Sequence, residues 1–138
     1  MATKIRSEVS MNNEYWIERH RYYELKHFCL QYPIWKDALL SLDGLERKPF
    51  DLAPSKTNKT TDPTEKMVET RMYFSERIKM VEEAASKTDP ELAYCILKGV
   101  TEGLSYEKLQ ARYGVPCCKD SYYKLYRKFF WILSGIRL

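Results

Sequence analysis

Residues 93–133 read AYCILKGVTEGLSYEKLQARYGVPCCKDSYYKLYRKFFWIL, and the punctuation of this stretch decides the fold. An apolar segment, Ala93 to Val100, runs into Glu102-Gly103-Leu104-Ser105. Gly103 there tolerates left-handed backbone at a helix end, and Ser105 has the side chain to cap the next helix. A short helix from Tyr106 to Arg112 follows, with Leu109 expected to point inward. Gly114-Val115-Pro116 breaks it, Val115 being placed to pack between helices, and a basic aromatic helix then spans Lys119 to Leu133. Apolar side chains recur here at three and four residues rather than at two, which is the period of a helix. The order predicts a helix-turn-helix.

In the second of these helices the expected inward face is Tyr122, Leu125, Tyr126, Phe129, Ile132 and Leu133. The opposed face carries Lys119, Tyr123, Lys124, Arg127, Lys128 and Trp131. A helix-turn-helix lays its second helix in the DNA major groove with its first residues nearest the base edges. Lys119, Asp120 and Tyr123 are therefore the expected base readers, and Lys124, Arg127 and Lys128 the expected phosphate contacts. Lys108 and Arg112 on the first helix are placed to meet the backbone as that helix crosses it.

The distribution of charge points the same way. Lys and Arg stand against Asp and Glu at 10 to 9 in residues 1–62, 6 to 8 in residues 63–104, and 7 to 2 in residues 105–138. The formal excess of +4 is thus concentrated where the second helix lies, and phosphate neutralisation needs such a footprint.

Upstream, Trp16, Tyr22, Tyr23, Leu25, Phe28, Cys29 and Tyr32 predict an amphipathic helix over 13–31, ended by Pro33. Ile34, Trp35, Ala38, Leu39 and Leu42 predict a second, stopped by Asp43-Gly44. Residues 43–62 hold Gly44, Pro49, Pro54 and several threonines and lysines, the composition of a linker. Asp62-Pro63 with Glu65 is a helix start, and the stripe Met67, Phe74, Ile78, Val81 and Ala85 carries that helix to about Ser86. Thr88-Asp89-Pro90-Glu91 repeats the start signal and opens the helix Leu92 to Val100. The expected fold is all-α, a helical domain with a C-terminal helix-turn-helix and N-terminal aromatic helices. The expected division is residues 1–62, aromatic helices plus linker, and residues 63–138, with the first ten residues a frayed terminus.

At 138 residues and 44% apolar content the chain can fill a core. It contains no run of about 18 uncharged apolar residues and opens on no charged-then-apolar leader, which predicts a cytosolic protein with no membrane contact. The four cysteines are then expected to be reduced thiols, with Cys117 and Cys118 near a helix N-terminus, where a thiol pKa falls. His20 and His27 lie seven apart with Cys29 nearby, but no paired Cys-x-x-Cys accompanies them, and no metal is expected. There is no Gly-rich phosphate cradle or nucleophile elbow. Glu65, Glu69 and Glu76 alternate with Lys66, Arg71 and Arg77 as on a solvated face, so neither cofactor nor catalysis is expected.

The run Leu104 to Leu109 through Pro116-Cys117, with Tyr122-Tyr123 and Arg127-Lys128-Phe129-Phe130, resembles the C-terminal helix-turn-helix of small phage and prophage proteins of Gram-positive bacteria. These are grouped with the RinA and ArpU type late-transcription regulators, whose DNA-binding part is similar to region 4 of sigma factors. Tyr15-Trp16-Ile17 to Tyr32-Pro33 also resembles the front of such proteins. The likeness covers residues 92–134 and, less closely, 14–42; residues 43–62 match nothing in it. It implies a double-stranded-DNA-binding transcriptional regulator at work in the cytoplasm of a bacterial host.

One recognition helix covers few base pairs, so a second contact is needed. A homodimer built on the aromatic helices or on the helix from Pro63 is the simplest source, and host RNA polymerase or another host or phage protein is the next. The rival reading is a protein-interaction module that inhibits a host system, as anti-CRISPR proteins do, with the basic helix serving only packing and solubility. A DNA-packaging protein of the small-terminase kind is a further alternative.

Overall fold

Glu18 opens the first helix by turning its carboxylate onto two free amide hydrogens, those of His20 at 2.9 Å and Arg21 at 3.2 Å. That cap fixes α1 at Arg19–Leu30, later than the expected start at Asn13. Asn13 instead folds a turn, its Oδ1 accepting from the Tyr15 amide at 2.8 Å and its carbonyl from the Trp16 amide at 3.0 Å. Ile17, just beyond, is buried. The computed structural model describes residues 13–42 and 63–138. Its further helices are α2 (Tyr32–Leu42), α3 (Pro63–Thr88), α4 (Ala93–Glu102), α5 (Tyr106–Tyr113) and α6 (Lys119–Ile136). The protein is all-α, with no strand among the described residues. None of their helices is long and apolar enough to cross a membrane. The linker expected over residues 43–62, the boundary expected at its end and the frayed first ten residues lie outside the described residues.

The helices fall into two compact units, Met1–Gln31 with Met80–Leu138, and Tyr32–Lys79. In the second, Tyr32, Trp35 and Ala38 of α2 and Phe74 and Ile78 of α3 are buried. Met67, expected on the inward stripe of α3, is exposed, as are Val68, Met72 and Tyr73. The Arg77 guanidinium lies 3.5 Å from the centre of the Tyr73 ring and donates to the Tyr73 carbonyl at 3.0 Å.

In the first unit α1 packs on α4 and α6, and α4 packs on α5 and α6. The aromatic helix expected in a separate N-terminal segment therefore shares one core with the C-terminal helices. Leu25, Cys29, Ile96, Leu109, Phe129, Phe130 and Leu133 are fully enclosed there. The hydroxyls of Tyr22 and Tyr126 meet at 2.9 Å inside it, and Tyr22 sets its ring edge-on to Phe130 at 5.2 Å. Beside them the Arg21 guanidinium caps the end of α6. Its Nε donates to Ser134 Oγ at 3.2 Å, and its Nη2 donates to the carbonyls of Ser134, at 3.1 Å, and of Arg137. The last carbonyls of a helix lack internal partners and carry partial negative charge, so a cation held there contributes about 0.5–2 kcal/mol.

At Gly99 the backbone of α4 passes directly over the Tyr122 side chain. A Cβ placed on Gly99 would collide with the hydroxyl oxygen of Tyr122, so glycine is what lets α4 pass this close over that ring. The Tyr122 hydroxyl is itself buried, with no hydrogen-bond partner among the described residues. Alanine in a helix interior gains about 1 kcal/mol over glycine, whereas overpacking costs about 1–3 kcal/mol, and here the blocking atom belongs to a fully buried ring. Gly99→Ala is therefore expected to destabilise the protein by up to about 2 kcal/mol. Tyr122→Phe alone should be neutral or stabilising, because it removes a polar atom with nothing to bond. In the Tyr122→Phe background the cost of Gly99→Ala should shrink by at least about 1 kcal/mol, read from thermal or urea unfolding of the four proteins. Equal costs in both backgrounds would refute the contact.

Candidate nucleic-acid interface

Ser105 starts α5 as expected, its Oγ accepting from the Lys108 amide at 3.3 Å, after Gly103 has left α4 at φ +67°. Leu109 is fully buried and Val115 is buried in the turn. The turn into α6 is then locked by one side chain. Gln110 Oε1 accepts from the Val115 amide at 2.6 Å, and its Nε2 donates to the Val115 carbonyl and to the Tyr106 hydroxyl, both at 3.0 Å. Tyr106 in turn donates to the Cys117 carbonyl at 2.6 Å. Glu102 fastens the far side of α5: it accepts from the Tyr113 hydroxyl at 2.8 Å and pairs with Arg112 at 3.4 Å and Lys98 at 3.6 Å. The carboxylate holds the Tyr113 phenol above its ordinary range.

This frame sorts the expected contact residues. Asp120 and Lys124 are exposed on α6, and Lys108 is exposed on α5. Lys128 is half-buried on the same side of α6 as Lys124, one turn further on. Among the described residues neither Lys124 nor Lys128 pairs with a carboxylate. Lys119 differs, since its Nζ is held by Glu107 of α5 at 2.9 Å. That hydrogen bond draws the glutamate below and the lysine above its usual range. Arg112 is likewise engaged with Glu102. Arg127 is half-buried, its Nε enclosed and without a hydrogen-bond partner among the described residues.

Tyr123 requires a correction. Expected on the outer face as a base reader, it is 7% exposed, and its hydroxyl accepts the Tyr106 amide hydrogen at 3.0 Å, securing the start of α5. The buried face of α6 is Tyr122, Tyr123, Tyr126, Phe129, Phe130 and Leu133. Leu125 and Ile132, expected on this face, are only half-buried. The signal is present in the doublets Tyr122-Tyr123 and Phe129-Phe130, seven residues apart, which define a face wide enough to take both members of each pair. With the core turned this way, the outward strip of α6 is Asp120, Ser121, Lys124, Lys128 and Trp131. Ser121 joins the strip although the charge pattern alone does not single it out.

His20 and His27 are both exposed, and no cluster of ligands suited to a metal ion occurs among the described residues. All four cysteines are free. They are not equivalent, because burial raises the thiols of Cys29, Cys95 and Cys117. Cys118 precedes α6, and the Ser121 hydroxyl 3.3 Å away, with the backbone N–H groups of Ser121 and Asp120, lowers its thiol below the ordinary range. Only one of the two adjacent cysteines follows the expectation of a lowered pKa.

Compared with family models, curated proteins and solved structures, the chain matches none.

The thiolate is the species that reacts with alkylating agents, so this order of the thiols has a kinetic consequence. With iodoacetamide at about pH 8, Cys118 should be modified at least about tenfold faster than Cys117, and Cys29 only on unfolding. Peptide mass spectrometry over a time course reads the order. Simultaneous labelling of Cys117 and Cys118 would contradict the assigned environments.

Proposed function

We propose that the chain is a sequence-specific double-stranded-DNA-binding protein, a transcriptional regulator of the phage type, in which α4, α5 and α6 act as a helix-turn-helix. The observation that carries the reading is the strip Ser121, Lys124 and Lys128 on the solvent side of α6. Its two ammonium groups have no carboxylate partner among the described residues, and the turn that leads into the helix bearing them is fixed by the Gln110 contacts. Asp120 and Ser121 in the first turn are the base-edge readers in this scheme. Lys124 and Lys128 take phosphates, joined by Lys108 from α5. Lys119 and Arg112 stabilise the unit, and Tyr123 belongs to its core. The protein works without a cofactor and catalyses no reaction. Its place is the cytoplasm of a bacterial host, and a homodimer supplies the second half-site.

A second reading has its own support. Met67, Val68, Met72 and Tyr73 leave an apolar run exposed on α3, as a protein-interaction module that inhibits a host system would. Retention on heparin and a gel shift with mixed genomic fragments at low and moderate salt separate the two, since an interaction module alone shows neither.

Replacing both Lys124 and Lys128 by glutamine should weaken binding to every duplex by at least about tenfold at low salt. The slope of log affinity against log salt should fall by about two, near one for each phosphate that is no longer neutralised. Base preference, read by selecting bound fragments from a random pool, should survive that change and shift with Ser121→Ala. Unchanged affinity of the double variant for all duplexes would sink the assignment.

A further inference from the structure

The segment that leads into α1 and the outward side of α6 border one open groove of about 410 Å3. α6 contributes Ser121, Lys124 and Lys128, the connection from α3 to α4 contributes Asp89 and Leu92, and the entry segment contributes Tyr15. Tyr15 is held in place from two sides. Its ring lies 5.5 Å from that of Trp131, tilted by 59°, and its amide donates to Asn13 Oδ1 at 2.8 Å. Asp89 is held as well, its Oδ1 accepting from the amides of Glu91 at 2.9 Å and Leu92 at 3.2 Å.

A nucleic-acid strand alternates anionic phosphates with less polar sugars, and a channel suited to it needs cations and ring or aliphatic surface side by side. Lys124 and Lys128 provide the first, one helical turn apart; Tyr15 and Leu92 provide the second. We propose that this groove is a strand channel, in which the backbone of a bound duplex lies with its phosphates on Lys124 and Lys128 and a sugar against the Tyr15 ring. The interface is therefore wider than α6, and it includes a residue from the far end of the chain. Asp89 works against the bound strand, as a carboxylate facing phosphates. The inference rests on the DNA-binding reading above.

The test is equilibrium binding of the full chain to a fluorescein-labelled mixed-sequence duplex across a salt series. Tyr15→Ala should weaken binding by about three- to tenfold and leave the salt slope unchanged, because no charge is removed. Asp89→Asn should tighten it by about two- to fivefold, since it removes a like charge while its amide oxygen still accepts from Glu91 and Leu92. Lys124→Gln should weaken binding and lower the slope. Circular dichroism of each variant establishes that the helices persist. If Lys124→Gln weakens binding while either Tyr15→Ala or Asp89→Asn keeps wild-type affinity, the strand does not run through the groove, and only the channel is overturned. If the native protein binds no duplex even at low salt, the channel and the DNA-binding reading fall together.

Discussion

One face of α6 has to satisfy two partners at once, and the remainder of the first unit follows from that. Tyr122 lies against α4 at Gly99, while Tyr126 and Phe130 meet Tyr22 of α1. A helix packed on one neighbour needs an apolar stripe of modest width, but a helix wedged between two needs a broad one. The doublets Tyr122-Tyr123 and Phe129-Phe130 supply it. The broad face leaves α6 only a narrow strip toward solvent, and any side chain through which this helix could meet a partner is drawn from that strip. Gly99 and the cap provided by Arg21 follow from the same arrangement. α4 must come close enough to cover Tyr122, and α1 must run close enough to the end of α6 for a guanidinium to reach its last carbonyls.

The helices themselves are legible in the sequence because their stops are chemical. Gly103, Ser105 and Gly114 have few alternative uses at those positions, and each acts as its residue type dictates, with φ +67° at Gly103 and +78° at Gly114. The start of α1 is not legible. Asn13 looks like a cap and Glu18 does not, yet the short asparagine side chain closes a turn of its own and leaves the glutamate to meet the amide hydrogens. The site is half legible for a different reason. Lys124 and Lys128 stand out on any helical projection, but Lys119 is diverted by Glu107, twelve residues away across a turn whose geometry no local pattern encodes. Tyr123 misleads because an aromatic among basic residues suggests an outer face, although its doublet partner Tyr122 points to an inner one.

Tyr15 illustrates what only tertiary structure can provide. Nothing near it in the sequence suggests kinship with Lys124 or Lys128. It joins them because α1 packs on α6, and the Asn13 turn then folds the chain leading into α1 back toward Trp131. The docking of α1 therefore does two jobs. It completes the aromatic core, and it carries a ring to the edge of the cationic strip.

The sorting of charges among α4, α5 and α6 gives that strip its meaning. Lys98 and Arg112 share Glu102, and Lys119 has Glu107, so three cations in the unit are already compensated by carboxylates. Cations on an ordinary solvated face are expected to be treated alike, paired or scattered without preference for one side. Here the compensated ones surround the turn and steady it, while Lys124 and Lys128 face outward together and find no carboxylate partner among the described residues. Two like charges a helical turn apart repel each other mildly, and nothing in the packing of α6 requires either of them. An arrangement that leaves them uncompensated gains most when an external polyanion supplies the missing charge, because counterion release adds to the direct attraction. Asp89 is the carboxylate that borders the groove, yet its fixed role in the α3–α4 connection keeps it from closing on the lysines.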